Sequence, residues 1–234
     1  ISRYYETHPS ERPENKAIFV TSDLPVIVYA MSTKEKTTDT YTAIPIPFLG
    51  TEYYSVNRPN DNYVPSGFGG GTNAISRGGE FMVLATESGT DVTITPRCST
   101  EGGARPGVPF TVTLNKGQVY LVRAEQGVLG SNDLTGSRIQ STKPVGLLSG
   151  HVRSSIPTRQ ECSKDHLIEM LPPVDKWGTQ YATTPLALVQ GGDYIRMVAA
   201  YPNTDIEIDD GSGITTIRLA QPGDFREFRV TGPA

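Results

Sequence analysis

Phe81-Met82-Val83-Leu84-Ala85-Thr86-Glu87-Ser88-Gly89-Thr90-Asp91-Val92-Thr93-Ile94 is the stretch on which the fold turns. Two runs flank Glu87-Ser88-Gly89. The second alternates apolar Val92 and Ile94 with polar Asp91 and Thr93, the period of a strand with one buried and one wet face. A Gly-containing break between such runs marks a turn. The stretch then recurs. Ile195 to Ile208 matches it at a separation of 195 minus 81, or 114, with Ala199 against Ala85 and Thr204-Asp205-Ile206-Glu207-Ile208 against Thr90-Asp91-Val92-Thr93-Ile94.

Working outward, three more blocks repeat in the same order. Ser22-Asp23-Leu24-Pro25-Val26-Ile27-Val28-Tyr29-Ala30 resembles Ser141-Thr142-Lys143-Pro144-Val145-Gly146-Leu147-Leu148-Ser149, offset by 144 minus 25, or 119. Pro45 to Tyr53 matches Pro173 to Tyr181, offset by 173 minus 45, or 128. Leu114, Gly117 and Tyr120 stand against Leu219, Gly223 and Phe225 at offsets of 105 to 106. The alternative is that Thr-Asp-Val-Thr-Ile and Gly-Gln-Val-Tyr are generic strand text. Four blocks in one order favour a duplication, with insertions confined to loops.

The expected fold is therefore all-β: two tandem, internally duplicated antiparallel β-sandwiches of jelly-roll or immunoglobulin-like kind, each of about 100 to 120 residues. Residues 1–16 read as an N-terminal arm, 17–136 as the first sandwich and 137–234 as the second. Strands are expected at Ile18 to Val20, Val26 to Met31, Glu80 to Ala85, Asp91 to Thr95, Phe110 to Leu114 and Gln118 to Arg123. Asp133-Leu134-Thr135-Gly136-Ser137 suits a turn between the copies. Asp165 to Met170 is the only stretch with a helical reading, capped by Asp165 and ended by Pro172-Pro173.

Composition agrees. The chain has 234 residues with 24 Gly and 18 Pro, and this density of chain-bending residues argues against long helices. With 36% hydrophobic and 20% charged residues it can bury a core. The net charge of -4 comes without any Lys/Arg cluster that could neutralise a row of phosphates, so nucleic acid is excluded as the expected partner. Apolar runs fall well short of the roughly 18 residues a membrane-spanning helix needs. Ile1 is not an initiator and no signal peptide follows it, as in a processed product or fragment. Two cysteines, Cys98 and Cys162, fit either one disulfide in an oxidising compartment or two thiols in a reducing one.

Asp133-Leu134-Thr135-Gly136-Ser137, Lys143-Pro144-Val145, Ser149-Gly150-His151, Cys162, Asp165-His166-Leu167, Leu171-Pro172-Pro173 and Trp177-Gly178-Thr179 together resemble the IgGFc-binding protein N-terminal domain family. The likeness runs from about Ile18 to Val230. It implies an extracellular or cell-surface module within a larger protein, and it carries no catalytic residue across. Members of the family place further cysteines where this chain has Arg153 and Ser163-Lys164. With the resemblance, a Cys98–Cys162 bond is the favoured pairing; closing a loop of about 65 residues, it would stabilise by roughly 4 kcal/mol.

Each candidate for chemistry has a plainer competitor. Ser149, His151, Asp165 and His166 supply the residue types of a nucleophilic triad, but the Gly-x-Ser-x-Gly elbow is absent, and Ser149 matches Ala30 in a strand that should be packed. Cys162, His166 and His151 suit zinc without a fourth ligand. Asp205, Glu207, Asp209 and Asp210 flank Gly211-Ser212-Gly213 and could face a cation, yet a solvated Asp-Gly hairpin is the better reading. Tyr63 and Phe68, in the long loop of the first copy, are candidate ligand-binding aromatics. No Asn-x-Ser/Thr sequon occurs.

The expected function is a non-enzymatic extracellular structural or adhesion module of a larger surface protein or filament, with neither cofactor nor metal. Its partners are further copies of itself or neighbouring domains, and its arm could add a strand to a neighbour's sheet edge. A carbohydrate- or glycoprotein-binding module is the second reading.

Overall fold

Alternation of apolar and polar residues becomes strand wherever a partner is in reach. The computed structural model describes residues 10–34, 37–63, 75–156, 164–184 and 193–230. Before the central region come β1 (Pro13–Asn15), β2 (Tyr29–Lys34), β3 (Thr37–Thr42), β4 (Gly50–Tyr54), β5 (Asp61–Tyr63) and β6 (Ile75–Arg77). Then follow β7 (Gly79–Ala85), β8 (Thr90–Thr95), β9 (Phe110–Leu114), β10 (Gln118–Arg123), β11 (Arg138–Ser154) and β12 (Asp165–Leu171). The last four are β13 (Asp193–Val198), β14 (Thr204–Asp209), β15 (Ile214–Leu219) and β16 (Phe225–Val230). Among the described residues every strand pairing is antiparallel. The fold is all-β; among the described residues, helix is limited to the single 3-10 turns Ile46–Phe48 and Val174–Lys176.

The chain divides into two compact units, 1–176 and 177–234. In the first, the sheet runs β1-β10-β7-β11-β8-β9, with β4 and β12 also on β11. β11 is the organiser. Its first part, Arg138 to Ser141, pairs with β8, and its later part, Val145 to His151, pairs with β7. On the opposite edge it takes β4 first and β12 afterwards. Pro144 lies at the changeover, where the register with β4 shifts and no ladder bond is demanded of a residue without an N–H.

Inward residues of the strands on both parts of β11 meet in one core: Tyr53, Phe81, Val83, Val92, Ile94, Leu114, Val122, Ile139, Val145 and Leu147, all closed to water. On the other side of the sheet, Leu49, Leu148 and Met170 form a smaller cluster with Tyr41, Ile44 and Ile168 packed against it. Gly150 is required by the approach of β12, because a Cβ there would lie 1.8 Å from the Leu167 carbonyl oxygen. β3 lies beside β12: Thr37 Oγ1 bonds His166 Nδ1 at 2.7 Å, and Asp39 Oδ2 accepts the Ile168 N–H at 2.8 Å.

In the second unit β13 pairs with β16 and β14 pairs with β15, as two separate two-stranded sheets. Ala199 and Leu219 are buried, while β13 is half-buried along its length.

β11 begins at Arg138, where the second sandwich was expected to start, and enters the sheet of the preceding strands. Three local expectations are corrected. Asp165 to Met170 is strand, not helix, because tertiary pairing with β11 overrides a local cap and a proline stop. The arm is partly docked: Pro13–Asn15 pairs with β10. Finally, Ile18 to Val20 and Val26 to Val28 are not in a strand; β2 begins only at Tyr29.

Candidate interaction surface

Where β5 meets the end of β11, a buried ion pair joins Lys164 Nζ to Asp61 Oδ1, with both side chains almost wholly enclosed. The second carboxylate oxygen of Asp61 accepts from Ser154 Oγ at 3.2 Å and from the Ser155 N–H at 3.0 Å. Two buried charges survive here because pairing and added hydrogen bonds offset their lost hydration.

His151 sits nearby, 1% exposed. Its Nδ1 accepts the Arg153 N–H at 2.9 Å, which fixes the tautomer so that Nε2–H donates to the Pro59 carbonyl at 3.1 Å. Burial drives its pKa down to about 4, against smaller upward pulls from the Pro59 carbonyl, Asp61 and Asp133. Ser149 Oγ donates to the Val56 carbonyl at 2.9 Å and accepts the Val56 N–H at 3.3 Å. Both partners of the imagined triad are thus committed to backbone, and His166 bonds Thr37 instead. These groups clamp strands.

The same holds for the turn at 133–137. Thr135 Oγ1 has its single proton between Asp133 Oδ1 at 2.6 Å and the Asn57 carbonyl at 3.0 Å, while the Asn57 N–H donates to Thr135 Oγ1 at 2.9 Å. Ser55 Oγ and Ser137 Oγ both donate to the Leu134 carbonyl. Asp-Leu-Thr-Gly-Ser therefore fastens the segment after β4 to the start of β11.

The acidic hairpin is an ordinary one. Arg218 bonds Asp205 at 3.0 Å, Asp209 Oδ1 accepts the Gly211 N–H, and Asp210 Oδ1 accepts from Ser212. Hydrogen bonds from Ser212 hold the Asp210 carboxyl below its usual range. Among the described residues no cluster of His, Cys, Asp or Glu could hold a metal ion.

Cys98 is buried in the core of the first unit. Burial pushes its thiol up to about 12, with the carboxylates of Asp133 and Glu125 adding to the rise. Cys162 and Phe68 lie outside the described residues, and of Tyr63 only the backbone, in β5, is described.

Exposed large apolar side chains are densest in one stretch of the first unit. Ile18, Phe19, Val20, Leu24, Val26, Ile27, Tyr29 and Met31 are all exposed within one stretch of chain, Val26 at 60%. Scattered exposed apolar side chains are normal, but eight of them fall here within the fourteen residues from Ile18 to Met31. The likeness of this stretch to β11 was the signal in the sequence. Of the stretch, only Tyr29 onward is strand.

Comparison with known proteins places these features in a lineage. The family model described as IgGFc binding protein matches residues 39–234. A human protein named IgGFc-binding protein is 33% identical over 217 residues, which cover 92% of this chain and 4% of that protein. The chain thus spans a small fraction of the length of its relative. No solved structure matches. With most of its length matched by the family model, the chain belongs to the IgGFc-binding protein family.

Proposed function

We propose that this chain is a non-enzymatic extracellular module that works through protein–protein contacts, as a structural or adhesive part of a larger protein. The exposed apolar run from Ile18 to Met31 carries the proposal, since it offers a large area whose burial by a partner is favourable at about 25 cal/mol per Å². The name of the human relative states that it binds IgG Fc, which makes the Fc fragment the first partner to try.

We also propose that the module is a duplicated β unit. Support comes from ladder registers. Thr90 faces Leu114 and Phe81 faces Val122 in the first unit; Thr204 faces Leu219 and Ile195 faces Phe228 in the second, at offsets of 114, 105 and 106, with Arg226 rather than Phe225 at the place of Tyr120. The hairpin of β2 and β3 sets Tyr29 against Thr42, and β11 with β12 sets Leu148 against Met170, offsets of 119 and 128. An extracellular setting goes with a Cys98–Cys162 bond, read as zero free thiols in denatured, unreduced protein.

Biolayer interferometry with purified Fc tests the contact. Ile27→Lys should weaken binding at least tenfold with an unchanged melting temperature. Unchanged binding removes the apolar run from the contact. A glycan-array signal lost in the Tyr63→Ala, Phe68→Ala double variant, without any Fc signal, would transfer the function to carbohydrate.

A further inference from the structure

Lys164 and Asp61 lie 103 positions apart in the sequence, yet their side chains meet with 1% and 0% of their surface exposed. The two oxygens of the carboxylate face different groups. Oδ1 is in contact with Lys164 Nζ. Oδ2 accepts the Ser155 N–H at 3.0 Å, with the hydroxyls of Ser154 and Ser155 at 3.2 Å and 3.5 Å. A nitrogen nucleophile thus rests against one oxygen of a carboxyl group while hydrogen-bond donors hold the other, and the enclosure keeps bulk water away. That is the arrangement amide formation requires. We propose that Lys164 and Asp61 condense into an intramolecular isopeptide bond, Nζ to Cγ, with loss of one water.

The balance closes without a co-reactant. One proton of the Lys164 ammonium passes to Asp61 Oδ1, which turns two enclosed charges into a neutral amine and a neutral acid and relieves the cost of keeping both dehydrated. The lone pair freed on Nζ attacks Cγ, and the carbonyl electron pair moves onto Oδ2, where the Ser155 N–H already points at the developing charge. A second Nζ proton then moves to Oδ1, the Cγ–Oδ1 bond breaks, and Oδ1 leaves as water while the carbonyl re-forms at Oδ2. The third proton stays on the amide nitrogen. Contact between the two groups replaces the encounter step, and exclusion of water opposes the reverse hydrolysis. His151 does not compete for the carboxylate, because its ring nitrogens are committed to the Pro59 carbonyl and the Arg153 N–H. Asp61 opens β5 and Lys164 immediately precedes β12, with Ser154 at the end of β11. The bond therefore ties β5 to the start of β12 at the end of β11, by a link that survives unfolding of the sheet.

Mass spectrometry of the unaltered protein, denatured and reduced, tests the bond. The main species should be lighter than the sequence by one water. Trypsin should release residues 37–77 and 160–176 as one branched peptide, because Pro59 protects Arg58 from cleavage and the amide removes the site at Lys164. Lys164→Arg keeps the positive charge but lacks the amine, so the variant should show its own full sequence mass and two separate peptides. A main wild-type species at full sequence mass overturns the proposal, whether or not the variant folds. So does a water loss that fragment ions place elsewhere, such as at Asp210-Gly211, or one that persists in Lys164→Arg. The bond does not depend on the Fc reading. Fc binding by a protein of full sequence mass refutes the bond alone, and the branched peptide in a protein that does not bind Fc refutes the Fc reading alone.

Discussion

Phe81 and Val83 on β7 are closed off from water, whereas Ile195 and Met197, at the matching ladder positions of β13, are only half-buried. The neighbours are matched too: β7 and β13 pair with β10 and β16 in one register, and β8 and β14 pair with β9 and β15 in one register. Even the turns agree. Gly117 (φ 85°) and Gly223 (φ 81°) occupy the left-handed region, where a Cβ is costly, and each N–H bonds an alanine carbonyl, Ala85 or Ala199. Local pairing is thus the same in both regions. Burial differs because the first region has β11 joining its halves, and this separates what fixes a register from what builds a core.

The largest effect should come from the groups that hold the end of β11. Asp61→Asn leaves the Lys164 ammonium enclosed without its counter-charge, and should cost about 4 kcal/mol in urea unfolding. A loss under 1 kcal/mol would mean that this end of β11 is not fixed by the pair, and that the contrast between the regions has another origin.

Next comes pH. His151 is neutral in the fold with a pKa of about 4, against an ordinary value of 6.5. Between those values the unfolded chain binds the proton and the folded chain does not. Stability is therefore full above about pH 6.5 and is lost as pH falls toward 4, by about 3 kcal/mol from this residue. His151→Gln keeps one donor and one acceptor but does not titrate. The stability difference between wild type and this variant should change with pH over that window, and a pH-independent difference would show that the imidazole is not enclosed.

Core truncation compares the two regions directly. Val83→Ala should cost about 2 kcal/mol, and Met197→Ala about 1 kcal/mol at a half-buried site. A Met197 loss equal to or above that of Val83 would show the second region's strands to be as enclosed as those of the first.

Much of this was legible in the sequence, and the reasons are physical. Strand pairs such as β8–β9 and β14–β15 are separated by short loops and announced by period-two alternation, so Thr90 to Ile94 and Thr204 to Ile208 were readable with their neighbours. β11 is different: its partners β7 and β8 lie some fifty residues away, and nothing local in Lys143-Pro144-Val145 says which edges it will take. The misreading of Asp165 to Met170 has the same root, because a capping Asp and a proline stop are local signals while the pairing with β11 is not. Ser149 and His151 offered the right residue types for catalysis, and only the backbone partners of both, from Val56, Pro59 and Arg153, show them as clamps. Lys164 with Asp61 gave no signal, since two opposite charges about a hundred positions apart become a pair only in the fold.

The smallest expected effect is the most discriminating. Tyr53 is wholly buried, with its hydroxyl bonded to the Val145 carbonyl and the Gly50 N–H, and burial raises its pKa to about 12. Tyr53→Phe removes both bonds and leaves a buried donor and acceptor behind, so it should cost about 1.5 kcal/mol. Tyr181 keeps the bond to its own glycine N–H but is 80% exposed, so Tyr181→Phe should stay within about 0.5 kcal/mol, because water replaces what is lost. Equal losses at the two tyrosines would place Tyr181 in an enclosed setting like that of Tyr53. A loss at Tyr53 alone would leave the second region as open in solution as its half-buried strands imply. Because a hydroxyl is removed without changing shape, neither outcome can be attributed to repacking.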